Sequence, residues 1–244
     1  MKAMILAAGM GTRLLPLTEK RPKALMEIEG RTLLQITVER LRACGVDQAI
    51  VNVHHFADMI VAHLEAHEHF GMRLEVSREK TLLDTGGGLK KAAWFFLEEA
   101  DEVDSPFVLH NVDVISGIDI PRMVEFHRRH EALATLAVQN RNCSSYLLFD
   151  SAGQLCGWRS EAQGRTRLAR PAEKTEALSF TGIHVISPHF LRKLTEVGVF
   201  SIIESYLHLA GRGERIAAFR ADEYPWQDVG SLETLEAARR HPLS

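Results

Sequence analysis

Apolar residues follow two rhythms along this chain, short unbroken runs and helical stripes, and their alternation predicts strands covered by helices. Ala3-Met4-Ile5-Leu6-Ala7 is an unbroken run, as in a strand buried on both faces, and it ends in the tight turn Ala8-Gly9-Met10-Gly11. Over Thr32 to Cys44 the apolar positions recur with a helical period, and Gly45 supplies a stop. Gln48 to Val53 reads as a strand, Asp58 to Glu68 as a helix and Met72 to Val76 as a strand. Leu89 to Glu99 predicts a helix, and turn material from Asp101 to Pro106 separates it from a strand over Phe107 to His110. Pro121 to His130 carries proline at a helix entrance, where the missing N–H costs little, and Ala134 to Val138 follows as a strand.

Beyond Ser145 hairpin signals take over: Tyr146 to Phe149, the turn Asp150-Ser151-Ala152-Gly153, then Leu155 to Trp158. Residues 159–177 are charged and aperiodic, and they read as a surface connection or flap. Phe180 to Ile186 resumes a strand, Pro188 to Leu194 and Phe200 to Ala210 read as helices, Ile216 to Phe219 as a short strand, and Ser231 to Arg240 as a serine-capped helix. The expectation is one α/β domain over residues 1–244, with a substrate-side β extension over about 140–185.

Composition narrows the function classes. Lys and Arg number 29 against 32 Asp and Glu, so no global charge drives the chain to nucleic acid or an anionic membrane. Cys44, Cys143 and Cys156 lack metal-knuckle spacing, and Cys143 has no histidine in register to make it a nucleophile. No apolar stretch approaches bilayer length and the N-terminus enters a strand at once, which together with the unpaired cysteines predicts a cytoplasmic chain. Scattered apolar residues set no oligomeric state.

The sharpest chemistry lies at Leu6-Ala7-Ala8-Gly9-Met10-Gly11-Thr12-Arg13, followed by Pro22-Lys23. Glycines let backbone approach phosphate oxygens, and Arg13 and Lys23 offset triphosphate charge; a plain glycine turn flanked by solvated charges has the same composition. The spacing fits neither the dinucleotide fingerprint nor the phosphate loop that ends in Gly-Lys-Ser/Thr. Two further carboxylates qualify as hard-cation ligands: Asp113, just past the strand at Phe107, and Asp228, ahead of the last helix; each also suits a turn or cap.

The segment Leu6 to Thr18 with Arg21-Pro22-Lys23-Ala24-Leu25 resembles the signature of sugar-nucleotide pyrophosphorylases. The resemblance continues through Leu83-Asp84-Thr85-Gly86-Gly87-Gly88-Leu89, Asn111-Val112-Asp113, Phe180-Thr181-Gly182-Ile183 and Trp226-Gln227-Asp228-Val229-Gly230, covering nearly the whole chain. The pattern is especially similar to bacterial N-acetylmuramate 1-phosphate uridylyltransferases, with mannose 1-phosphate and heptose 1-phosphate guanylyltransferases close behind. It implies a Rossmann-like mixed sheet flanked by helices, the nucleotide-diphospho-sugar transferase fold, and magnesium-dependent formation of a nucleoside diphosphate sugar and pyrophosphate.

Carried over residue by residue, the resemblance implies that Asp113 and Asp228 bind Mg2+ and that Arg13 and Lys23 hold phosphates. Leu6, Ala7, Ala8, Gly9, Gly11 and Thr12, with Gly86, Gly87 and Gly88, would enclose the nucleotide, the three glycines admitting a base or ribose against backbone. Asn111, Lys174, Thr181 and Gly182 would face the sugar phosphate, although the Glu173-Lys174 pair lacks the usual following proline and spacing. Val112 stands where glycine is often found. The expected reaction transfers a nucleoside monophosphate, from UTP by preference, to a sugar 1-phosphate. GTP- or CTP-dependent transfer to mannose 1-phosphate, heptose 1-phosphate or phosphocholine is the enzyme alternative, and a non-catalytic nucleotide sensor is the alternative of another class.

Overall fold

The computed structural model describes residues 1–97 and 105–243. Four parallel strands form its base in the order Arg73–Arg78, Gln48–Val53, Lys2–Leu6, Phe107–Asn111. Antiparallel to the last runs the 11-residue strand Glu176–Ile186. Its other edge pairs with Ala134–Gln139, which in turn pairs in parallel with Ile216–Arg220.

Alternation of side chains across each strand gives the sheet two apolar faces. Ala3 and Ile5 enter one core cluster and Met4 the other; Val108 enters the first, Phe107 and Leu109 the second. The helices Leu33–Ala43, Ala57–Ala66, Ile120–Arg129 and Leu232–Arg240 supply residues to the first cluster. Helices Asp84–Lys91, Ala93–Leu97, Pro188–Lys193 and Ile202–Gly211 cover the opposite face. This is the Rossmann-like mixed α/β sheet that the family resemblance implies, built from the strands covered by helices that the hydrophobic rhythm predicts.

Helix boundaries follow local chemistry. Thr32 caps its helix by accepting from the Gln35 N–H, Asp119 accepts from Arg122 N–H ahead of Pro121, and Ser231 forms a reciprocal box with Thr234. Gly45, at φ 82°, supplies the left-handed turn after the first long helix.

Three expectations are corrected. The helix predicted from Leu89 begins earlier, at Asp84, and breaks at Ala92, so Gly86–Gly88 lie inside a helix; residues 98–104, including the end of that prediction and most of the following turn, lie outside the described residues. Residues 159–177 are not a bare connection: Arg165–Leu168 pairs antiparallel with Leu155–Ser160, which pairs with Ser145–Phe149, which joins the start of Glu176–Ile186. All four residues of Arg165–Leu168 are exposed, so the strand has no apolar face to reveal it. Finally, two three-residue strands escaped prediction altogether, Val114–Ser116 and Trp226–Asp228, paired antiparallel with each other.

Candidate active site

The four parallel strands point their carboxyl ends to one edge. The chain works outward from Lys2–Leu6 to Arg73–Arg78, then returns to Phe107–Asn111 on the other side, which makes a topological switch point between Leu6 and Asn111. Ligands bind at such crevices in open α/β sheets because neighbouring loops diverge there. The entrance loop leaves Leu6 and Asp113 follows Asn111; the N–H of Val112 donates to the Leu6 carbonyl at 3.2 Å. Val112 fits without strain on the site, since its side chain is buried in the core beneath it.

The small two-stranded sheet decides the rest. Asp228 pairs with Val114, and the Val229 N–H donates to the Asp113 carbonyl at 2.9 Å, so carboxylates far apart in sequence become neighbours. Gly230 lies among their charged ends. A methyl group built on it would stand 2.6 Å from Arg13 Nη2, 2.8 Å from Asp228 Oδ1 and 2.9 Å from Asp113 Oδ2. The two carboxylate oxygens therefore lie within about 6 Å of each other, close enough to share one small cation after modest adjustment. Lys23 Nζ donates to Asp113 Oδ2 at 2.6 Å, and both side chains are largely buried. Arg13, Lys23, Asp113 and Asp228 thus converge.

Two clefts flank this convergence. One, of about 340 Å³, is lined by Leu6, Ala8, Gly9, Asp84, Asn111 and Asp113, among others. The second, about 650 Å³, holds Arg13, Arg141, Phe180, Trp226 and Asp228. Gly9 has open space around its Cα, whereas Gly11, at φ 65°, packs its backbone against Thr18 and Lys23. Thr12 is exposed and opens the short turn that carries Arg13.

Ala7 is buried and its N–H donates to Asn52 Oδ1 at 2.8 Å. Asn52 Nδ2 donates to Glu79 Oε1 at 2.7 Å, and Glu79 Oε2 accepts from the Leu83 N–H at 2.9 Å. This buried relay ties the entrance loop to the helix at Asp84, and neither Asn52 nor Glu79 stood out in the sequence. Beside it, Gly86 to Gly88 depart from expectation. The N–H groups of Gly86 and Gly87 donate to the Phe200 carbonyl, and the space a side chain would take is filled by the Phe200 ring at Gly86, the Gly198 carbonyl at Gly87, and Asn52 with Glu79 at Gly88. These glycines are needed for close packing, while their neighbours Asp84 and Thr85 line the smaller cleft.

The sugar-side candidates divide. Asn111 lines the smaller cleft, and Gly182, at φ 84°, lets Asn111 and Val114 pack against its Cα. Thr181 is buried and its hydroxyl donates to the Ala137 carbonyl, leaving only its carbonyl for the site, where it accepts from Trp226 Nε1 at 2.8 Å. Lys174 is not brought in: it lines a separate cleft with Asp150, Glu176 and Arg220. Arg141, which the sequence did not single out, lies instead beside Asp228 and Trp226.

Beneath the site, His110 and His184 are fully buried. Burial pushes His110 down to about 4 and His184 down to about 3, the latter helped by His110 itself. Each is kept neutral, His110 Nδ1 meeting the Asn111 carbonyl and His184 Nδ1 the Tyr206 hydroxyl, so both serve structure.

Among the described residues no group of three or more acidic, histidine or cysteine side chains gathers as for a protein-enclosed metal. Magnesium, however, keeps several waters and is held through one or two carboxylates plus substrate phosphates. Asp113 and Asp228, opened toward each other by Gly230, fit that demand. No helix among the described residues is long and apolar enough to cross a membrane.

A family model described as nucleotidyl transferase matches residues 2–243. N-acetylmuramate alpha-1-phosphate uridylyltransferase of Caulobacter vibrioides is 34% identical over 97% of this chain and 94% of its own length. UTP–glucose-1-phosphate uridylyltransferase of Synechocystis is 30% identical over the whole chain, which spans 64% of that longer protein. In fold, the structure of HddC from Yersinia pseudotuberculosis complexed with GMP-PN superimposes with a TM-score of 0.76 over 98% of both chains, at 20% identity. A putative glucose-1-phosphate thymidylyltransferase from Bacillus anthracis gives 0.80 at 18% identity, covering all of this chain and 96% of that one. With a matching model over almost its entire length and a relative aligned end to end, the chain belongs to the nucleotidyl transferase family and is a nucleotidyltransferase.

Proposed function

We propose that this chain transfers a nucleoside monophosphate from a nucleoside triphosphate, UTP in the first instance, to a sugar 1-phosphate, releasing pyrophosphate. The carrying observation is the meeting of Arg13, Asp113 and Asp228 around Gly230, with Lys23 on Asp113, at the boundary of two clefts. One cleft serves each substrate: the smaller opens from the entrance loop and suits the nucleotide, the larger lies past Asp228 and suits the sugar.

Bound between Asp113 and Asp228, magnesium would supply charge neutralisation on the triphosphate. Lys23 and Arg13 hold phosphate oxygens, drawing the α-phosphorus into line with an acceptor in the second cleft. The acceptor's phosphate oxygen forms the new bond to that phosphorus while the bond to the β-phosphate oxygen breaks, and inversion follows. No protein nucleophile is needed, because the attacking oxygen is already charged. Cys143 has no part in this step.

UTP is favoured because the end-to-end relative from Caulobacter is a uridylyltransferase, and N-acetylmuramate 1-phosphate is on the same ground the first acceptor to offer. Guanylyl transfer is the second reading, on the 30% identity with mannose-1-phosphate guanyltransferase of Emericella nidulans over 94% of this chain. A panel of four nucleoside triphosphates crossed with sugar 1-phosphates, followed by pyrophosphate release and product mass, separates the two. Selective use of GTP overturns the uridylyl assignment, and phosphocholine belongs in the panel as the non-sugar acceptor.

A further inference from the structure

The larger cleft contains a cation that the roles above leave unused. Arg141 leaves the end of the strand Ala134–Gln139 half-buried, with its guanidinium carbon 3.7 Å from the centroid of the Trp226 ring. Its Nη2 donates to the Phe180 carbonyl at 3.0 Å, while its Nε is buried without a partner. No ion pair within 4.0 Å joins it to a carboxylate among the described residues, although most buried charges in proteins are paired. Burial pulls its pKa below the ordinary guanidinium value, and Asp228 is near enough to act on it electrostatically but not to bond it.

A planar guanidinium that is seated on an indole, with Nη2 held by the Phe180 carbonyl and Nη1 left without a protein acceptor among the described residues, is a site for an oxyanion. Its placement chooses among the anions of the reaction. Arg13 and Lys23 come from the entrance loop, on the triphosphate side, whereas Arg141 approaches from the β extension together with Asn142 and Ser144. Lys174, the sequence's choice for the acceptor phosphate, opens onto a different cleft.

We infer that Arg141, seated on Trp226 beside Asp228, binds the monophosphate of the acceptor and orients its attacking oxygen, in the place that Lys174 was expected to take. The inference rests on the nucleotidyl transfer reading. It also explains why Trp226 is pinned by its indole N–H to the Thr181 carbonyl: the ring is the platform that sets the guanidinium plane.

The test compares wild type with Arg141→Ala, Arg141→Lys and Lys174→Ala, using UTP, magnesium and the acceptor that wild type converts fastest. Arg141→Ala should raise the acceptor KM at least about 10-fold with the UTP KM shifted less than about 3-fold, and Arg141→Lys, which keeps charge but loses the fork, should fall between. An unchanged acceptor KM in Arg141→Ala, or a rise confined to Lys174→Ala, overturns the assignment. Should Arg141→Ala fail to fold, Arg141→Lys carries the same comparison. If wild type releases no pyrophosphate with any acceptor, the transfer reading fails by itself. Calorimetric binding of N-acetylmuramate 1-phosphate with magnesium and a non-hydrolysable UTP analogue then judges Arg141, its loss in the variants supporting the role and its retention contradicting it.

Discussion

The backbone N–H of Val229 donates to the carbonyl of Asp113, and this bond, next to the pairing of Asp228 with Val114, brings the backbones that carry Asp113 and Asp228 side by side. Because it lies at the end of a two-stranded pairing, the geometry belongs to backbone and is present before any ligand arrives.

Gly230 keeps that geometry open, and its φ is ordinary, so alanine there is a steric probe of the charged cluster alone. Gly230→Ala should lower kcat by at least about 10²-fold, a loss of the size seen when one preorganised electrostatic group is removed, while the melting temperature moves little. Steady-state kinetics with a thermal melt checks this. A fully active Gly230→Ala enzyme would mean that the three groups do not act at one point.

Gly86 carries the opposite expectation. A methyl group there would meet the Phe200 ring at 2.4 Å, so Gly86→Ala should cost about 1–3 kcal/mol of stability by overpacking. Trimming the partner should recover part of the loss, making Gly86→Ala with Phe200→Leu more stable than additivity allows. Urea denaturation of the four proteins reports the coupling, and strict additivity would remove the packing explanation.

These two glycines show where the sequence is legible and where it is not. Gln48–Val53 and Leu33–Ala43 announce themselves by period and cap, because burial on a sheet or helix face writes itself at fixed spacing. Val114–Ser116 and Trp226–Asp228 are three residues each, too short to carry a period, and their pairing joins distant parts of the chain. The motifs around Asp113 and Asp228 were visible, but the bond between them was not. The Gly86–Gly88 run was legible as unusual backbone, yet the reason at Gly86 and Gly87, the Phe200 ring and carbonyl and the Gly198 carbonyl, lies over a hundred residues away. Lys174 misled because a charged residue near a motif has no direction in a sequence; the strand pairing of Glu176 with Phe149 turns it to another cleft.

The Asn52 relay predicts a mixed effect. Asn52→Ala strands the Ala7 N–H and one Glu79 oxygen in a buried setting, which should cost about 1–3 kcal/mol. Since the same relay positions the entrance loop, the KM for the nucleoside triphosphate should rise more than that for the acceptor. A stability loss with both KM values unchanged would make the relay purely structural.

Buried His110 and His184 predict how the fold responds to acid. In the unfolded chain each takes a proton near pH 6.5, while in the fold burial holds them to about 4 and about 3. As pH falls below about 6.5 the unfolded state therefore binds protons that the native state refuses, and stability drops by up to about 1.4 kcal/mol per pH unit for each histidine. The contribution is fully present above that range and is lost toward pH 4 for His110 and toward pH 3 for His184. Denaturation midpoints between pH 7.5 and 5 should show this slope, and His184→Gln should flatten it; an equally steep slope in the variant would assign the effect to other groups.

The most direct measurement is magnesium-dependent pyrophosphate release from UTP and a panel of sugar 1-phosphates, run with wild type and Asp228→Asn side by side. The account predicts release that requires both substrates and the metal, yields a product of nucleoside diphosphate sugar mass, and falls at least about 10²-fold in Asp228→Asn. No release from wild type with any nucleotide and acceptor pair, or equal release from the variant, would contradict it.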